Sequence, residues 1–208
     1  MNLIDYKKTS FLKSYSKITD IDIQDGIEIA FIGYSNSGKS SAINALTNQK
    51  RLARFSKTPG RTQLINFFEV ISGLRIVDLP GYGYAKAPLL VREKWQKTVY
   101  NYLEKRDQIK GFVFLMDIRY PLKKLDQKII SIVLHKKVSI LVLLTKCDKM
   151  TRSQQNIQVN TVYKKLNFLL DSVEIILFSS YKKIGIKKLE SSLNDWYKNY
   201  VVLKNKNF

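Results

Sequence analysis

One stretch restricts the architecture of this chain more than any other: residues 27–41, IEIAFIGYSNSGKSS. A run apolar enough to be a buried strand gives way to glycines, a lysine and hydroxyls. A core strand that ends in an unpackable loop must end against something other than protein. Gly33-Tyr34-Ser35-Asn36-Ser37-Gly38-Lys39-Ser40 fits the pattern G-x-x-x-x-G-K-[ST]. Its glycines let backbone N–H groups turn inward and approach an anion closely. The helix start that follows, from Lys39 through Ser40 and Ser41, adds donors and a favourable dipole. In such a loop the lysine reaches the β- and γ-phosphates, and the Ser40 hydroxyl holds Mg²⁺.

The rest of the chain alternates apolar runs of strand length with amphipathic segments. Strands are expected at 27–33, 65–71, 74–80, 111–117, 138–145 and 173–179, several apolar at nearly every position, as strands covered on both faces should be. Helices are expected near 39–48, 88–106, 122–135, 152–170 and 184–200. In the last of these Ile186, Leu189, Leu193, Trp196 and Tyr197 share one side at 3–4 spacing. Only Ser72-Gly73 separates two of the strands, which implies a hairpin and an antiparallel edge on a six-stranded, otherwise parallel sheet. One α/β domain over 26–200 is expected, with an extension (1–25) packed on it and a tail (201–208).

Two further motifs close strands at the same sheet edge, where open α/β sheets bind ligands. In VDLPG, Asp78 would hold Mg²⁺ through water, and the Gly81 N–H would meet the terminal phosphate, with Leu79 and Pro80 between them. In LLTKCD, the Asp148 carboxylate can accept both N1–H and N2–H₂ of guanine, a pairing adenine does not offer. The Lys146 stem covers one face of the base, Thr145 precedes it, and Cys147 is a filler rather than a reactive thiol. After the sixth strand, Phe178, Ser179 and Ser180 bring backbone toward the guanine O6.

With these residues in hand, the chain resembles the EngB/YihA group of the TrmE-Era-EngA-YihA-septin class of P-loop GTPases. The resemblance covers about residues 10–200, and SKTPGRTQLINFF and DLPGYGYAKAP are its group-specific pieces. It implies a three-layer α-β-α Ras-like fold and slow GTP hydrolysis to GDP and phosphate, with Lys39, Thr62 and Gly81 as the catalytic residues. It makes 49–64 a first switch, with Gly60, Arg61, Thr62, Gln63 and Leu64 against the nucleotide and Thr62 as a Mg²⁺ ligand beside Ser40 and Asp78. Thr58 is a rival in the same loop, and 81–88 becomes a second switch. Where many GTPases carry a water-orienting glutamine, this chain has Tyr82, a weak substitute. Asn36 stands where potassium-stimulated relatives coordinate K⁺.

Net charge is +19, which favours a polyanion such as ribosomal RNA; the alternative reading of 28 Lys against 8 Arg is drift toward A+T-rich codons. Lys50, Arg51, Arg54, Lys57 and Arg61 crowd the first switch, and Lys182, Lys183, Lys187 and Lys188 flank the last helix. His135 carries no catalytic role. A single cysteine, no apolar run near 18 residues and no apolar leader imply a soluble protein of a reducing, cytoplasmic compartment with no membrane partner, and a monomer is expected. The resemblance points to a GTP-dependent factor for large ribosomal subunit assembly, with linked effects on division. The alternative is a septum-formation switch acting through proteins without RNA. A metabolic kinase is disfavoured, because no second substrate site is legible.

Overall fold

Strand β2 (Ile27–Gly33) is buried at every position, which only a strand covered on both faces can be. The computed structural model describes residues 4–53, 64–83, 89–136, 138–167 and 173–206. Around β2 it builds a sheet from β1 (Ser10–Tyr15), β3 (Ile65–Ile71), β4 (Leu74–Asp78), β5 (Ile109–Asp117), β6 (Ser139–Thr145) and β7 (Glu174–Leu177). The strand order is β1-β3-β4-β2-β5-β6-β7. From β4 to β7 all pairings are parallel, and β3 runs against both β1 and β4. The hairpin across Ser72-Gly73 is present, with Asn66 opposite Asp78.

Seven strands replace the expected six. The added strand, β1, lies in the amino-terminal extension and forms the true edge of the sheet. It carries no buried alternation: only Tyr15 is fully buried, while Phe11 and Leu12 are 55% and 41% exposed. Pairing by backbone at an edge leaves little trace in hydropathy.

Helices α1 (Lys39–Leu46) and α5 (Ile186–Lys206) cover one face, and α2 (Leu89–Lys105), α3 (Lys124–Leu134) and α4 (Arg152–Leu166) cover the other. The expected stripe of α5 is seated as read: Leu189 and Leu193 are buried, with Ile186, Trp196 and Tyr197 against them. This helix runs on to Lys206, past the expected end at 200. Thr151 and Gln154 form a reciprocal capping box at the start of α4.

At the sheet end away from the loops, Glu28 is fully buried, takes an ion pair from Arg106 and accepts from the Tyr102 hydroxyl at 2.6 Å. Arg106 also donates to the Ile23 carbonyl at 2.6 Å, tying the carboxyl end of α2 to the amino-terminal segment. Among the described residues no helix is long and apolar enough to cross a membrane.

Candidate nucleotide site

The loop after β2 is shaped by its glycines. A Cβ at Gly33 would lie 2.5 Å from both the Leu115 carbonyl and the Ser37 hydroxyl, so only glycine lets the strand turn here. Gly38 stands in the left-handed region at φ 94° and caps α1 without a side-chain hydrogen bond. The helix thus starts at a residue that offers its first N–H groups no side-chain cap, the arrangement that suits an anion. The Ser37 hydroxyl, buried in the same loop, has no hydrogen-bond partner among the described residues. An orphaned polar atom beside an uncapped helix start fits a phosphate-bearing ligand.

The three motifs meet as the sequence implies. Lys39 donates to the Asp78 carboxylate, joining the first motif to the second, with the Asp78 side chain only 6% exposed. The Thr145 hydroxyl lies 2.5 Å from the Ser37 carbonyl and 3.1 Å from that of Met116. Lys146, left-handed at φ 58°, extends its amine to the Asn36 carbonyl at 2.7 Å, and its stem thus runs alongside the phosphate loop. Asn36 itself is exposed with φ 65°. Asp148 accepts from the Ser179 hydroxyl at 2.5 Å, and Ser179 in turn receives the Lys182 N–H at 3.1 Å. Ser179 and Ile184 exchange backbone hydrogen bonds at 3.1 and 3.0 Å, so the loop carrying Ser179 and Ser180 is closed on itself. Ser40 in the first turn of α1 and Asp78 at the end of β4 carry the hard oxygen donors that suit Mg²⁺, and Lys39 is bonded to Asp78.

Some residues sit differently from their expected roles. Tyr82 occupies the position where many GTPases carry a water-orienting glutamine, but its side chain is 2% exposed and turned inward, where its hydroxyl donates to Asp126 of α3. Its ring packs edge-on to Tyr34 at 4.6 Å and against Trp95 of α2 at 5.1 Å. Trp95 also donates to the Pro80 carbonyl at 2.8 Å. The Tyr82 backbone bridges to the phosphate loop, accepting from Ser35 N–H at 2.6 Å and donating to Gly33 at 3.2 Å. Thus 81–83, at the start of the expected second switch, is pinned to both α2 and α3. Burial first, then the Asp126 charge, pushes the Tyr82 hydroxyl well above its ordinary pKa. Burial likewise raises Asp126 despite its hydrogen bonds.

Leu79 and Phe178 are buried in the core, and Phe178 contributes its carbonyl to the Cys147 N–H at 3.2 Å. Burial, then the Asp148 charge, raises the Cys147 thiol, in keeping with a filler. Leu64 is half-exposed just before β3. Thr58, Gly60, Arg61, Thr62 and Gln63, with Arg54 and Lys57, lie outside the described residues, as do 84–88 of the second switch. Before that gap, Asn44 of α1 holds Ala53 by two hydrogen bonds, one from the Ala53 N–H at 2.7 Å and one to its carbonyl at 2.9 Å.

Sequence reasoning missed Asp117, which ends β5 at the same edge and binds Lys146 at 2.9 Å and Arg119 at 2.7 Å. An acid closing an apolar strand beside the other motifs was the available signal. It also missed Asp126 and Asn66, for which only tertiary contact gives a role.

A family model described as "50S ribosome-binding GTPase" matches residues 28–146. The probable GTP-binding protein EngB of Buchnera aphidicola subsp. Acyrthosiphon pisum (strain Tuc7) is 79% identical over 203 residues, covering 98% of this chain and 99% of its own length. Its namesake in Salmonella paratyphi B is 50% identical over 197 residues, covering 95% and 94%. A crystal structure of a probable GTP-binding protein engB shares the fold with TM-score 0.64 at 20% identity, over 83% of this chain and 99% of that one. Aquifex aeolicus Era bound to GDP·AlF4⁻ shares it at TM-score 0.62 and 19% identity, over 84% and 57%.

Proposed function

The chain belongs to the EngB family of GTP-binding proteins, and on that footing we propose that it is a Mg²⁺-dependent, GTP-driven switch in assembly of the large ribosomal subunit. It is a GTPase. The observation that carries the finer reading is the wiring of the guanine motif into the phosphate loop, through Thr145 to Ser37 and Lys146 to Asn36. Base and phosphate recognition then act as one unit, which is what a switch that reads the terminal phosphate requires.

In this reading Ser40, Asp78 and Thr62 hold Mg²⁺, Lys39 neutralises the phosphates, and the Gly81 N–H senses the terminal one. The metal supplies charge neutralisation across the phosphates. Because Lys39 and Asp78 are paired to each other, nucleotide and metal must divide that pair between them. Asp148 selects guanine, held in orientation by Ser179. With the Tyr82 side chain committed to Asp126, no side chain at that position orients water, so unassisted hydrolysis is slow and K⁺ at the exposed Asn36 speeds it. Equal turnover in K⁺ and Na⁺ at matched ionic strength would remove the K⁺ role.

The exposed Lys182, Lys183, Lys187 and Lys188 beside the guanine loop supply a cationic face for ribosomal RNA, and the family description supports a ribosomal partner. The test is co-sedimentation of the protein, a monomer in solution, with precursor large subunits. Binding that needs a non-hydrolysable GTP analogue and is lost with GDP, with ribonuclease or at high salt is the expected result. Binding to division proteins alone, untouched by ribonuclease, would overturn the ribosomal role.

A further inference from the structure

We propose that Asn66 is a positioning residue for the Asp78 carboxylate, and that Ser14 of the amino-terminal strand fixes the Asn66 amide; this rests on the reading of Asp78 as a metal-holding group. The three residues stand opposite one another across three adjacent strands, Ser14 against Asn66 and Asn66 against Asp78. The Ser14 hydroxyl donates to Asn66 Oδ1 at 2.6 Å, and Asn66 Nδ2 donates to Asp78 Oδ2 at 3.4 Å.

The sense of this relay is determined by chemistry. An ionised carboxylate only accepts, so the amide must turn its nitrogen toward Asp78. Its oxygen then faces β1, where a donor is needed, and the hydroxyl of Ser14 is one. The other Asp78 oxygen takes Lys39. One oxygen is therefore held by a neutral group built into the sheet, and the other by the Lys39 ammonium, which phosphate can draw away. A carboxylate fixed by its neutral partner keeps its aim when the lysine leaves. Outer partners of metal-holding carboxylates typically change metal affinity about 10–100-fold when removed.

The form of β1 agrees. Four of its six residues are exposed, so core burial does not explain why the strand is there. Its register slips between Phe11 and Lys13, and that irregularity leaves Ser14, rather than a neighbour one residue along, opposite Asn66. Bulges of this kind re-aim side chains. The amino-terminal extension thus contributes to the metal site as well as to the sheet edge.

The experiment titrates Mg²⁺ against a fluorescent GDP on the full chain, for wild type, Asn66→Leu, Ser14→Ala and Asp78→Asn, each checked by thermal melting. Asn66→Leu should weaken apparent Mg²⁺ affinity about 10-fold or more, with GDP affinity in EDTA unchanged. Ser14→Ala should move it the same way by a smaller factor. Asn66→Leu weakening GDP equally with and without Mg²⁺, or leaving Mg²⁺ affinity at the wild-type value, would overturn the proposal. Should Asn66→Leu fail to fold, the Ser14→Ala titration decides alone, and an unchanged Mg²⁺ affinity there overturns it. Asp78→Asn tests the underlying reading separately: if it keeps wild-type Mg²⁺ coupling, Asp78 does not hold the metal.

Discussion

The Tyr82 hydroxyl donates to the buried carboxylate of Asp126, so the residue following the Asp78–Gly81 turn is held by helix α3. The same residue shares backbone hydrogen bonds with Gly33 and Ser35. One residue thereby links the phosphate loop, through its backbone, to α3, through its side chain.

Tyr82→Phe removes that hydroxyl and leaves Asp126 short of a donor in a buried setting. Stability should fall by about 1–3 kcal/mol, read by chemical denaturation. Single-turnover GTP hydrolysis should stay within about twofold of wild type, because the lost group faces Asp126 and not the phosphates. A collapse of hydrolysis with unchanged GTP binding would return a catalytic role to the phenol.

Glu28→Gln breaks a buried ion pair at the opposite end of the sheet and leaves Arg106 uncompensated. A loss of about 3–5 kcal/mol in denaturant unfolding is expected. Guanine nucleotide affinity of the folded variant should be unchanged. A matching loss of GDP affinity would show that α2 transmits strain between the two ends.

The fold's outline was legible because parallel strands covered on both faces must be apolar at nearly every position, as residues 27–33 and 111–117 are. The three motifs were legible for a related reason: a polar cluster directly after such a run has nowhere to go but the ligand edge. Strand β1 was not, since an edge strand held by backbone pairing can expose Phe11 and Leu12 and show no alternation. The fate of Tyr82 was not legible either. Its position in the chain allows it to face phosphate or core, and the choice is made by Asp126, forty-four residues away. Asn66 reads as a polar interruption of INFFEVI until the register sets it between Ser14 and Asp78.

Asp148→Asn exchanges an acceptor for a donor against the guanine edge and disturbs the Ser179 hydrogen bond. Affinity for GTP should drop by at least about 100-fold, while preference shifts toward the xanthine nucleotide in a competition assay. Unchanged selectivity would refute the role given to Asp148.

Burial alone would raise the Asp117 carboxyl, but the hydrogen bonds of Arg119 and Lys146 outweigh it and hold the group well below the ordinary carboxylate range. A carboxyl depressed in the folded state adds stability above its unfolded pKa, near about 3.9, and loses it as pH falls through the folded value. Between about pH 5 and pH 3 the wild-type melting temperature should therefore drop further than that of Asp117→Asn. Parallel melting curves over that window would show that the pair contributes nothing to acid sensitivity.

Asn44 grips both the amide and the carbonyl of Ala53, and Ile65 is paired with Tyr15 in β1. Ala53 and Ile65 are thus each held by contacts of the folded domain. The entropy of bringing two points of a chain together grows with the logarithm of their separation, and for Ala53 and Ile65 that cost is met by contacts within the domain. A guanine nucleotide bound at this edge therefore need not supply the free energy that brings Ala53 and Ile65 together.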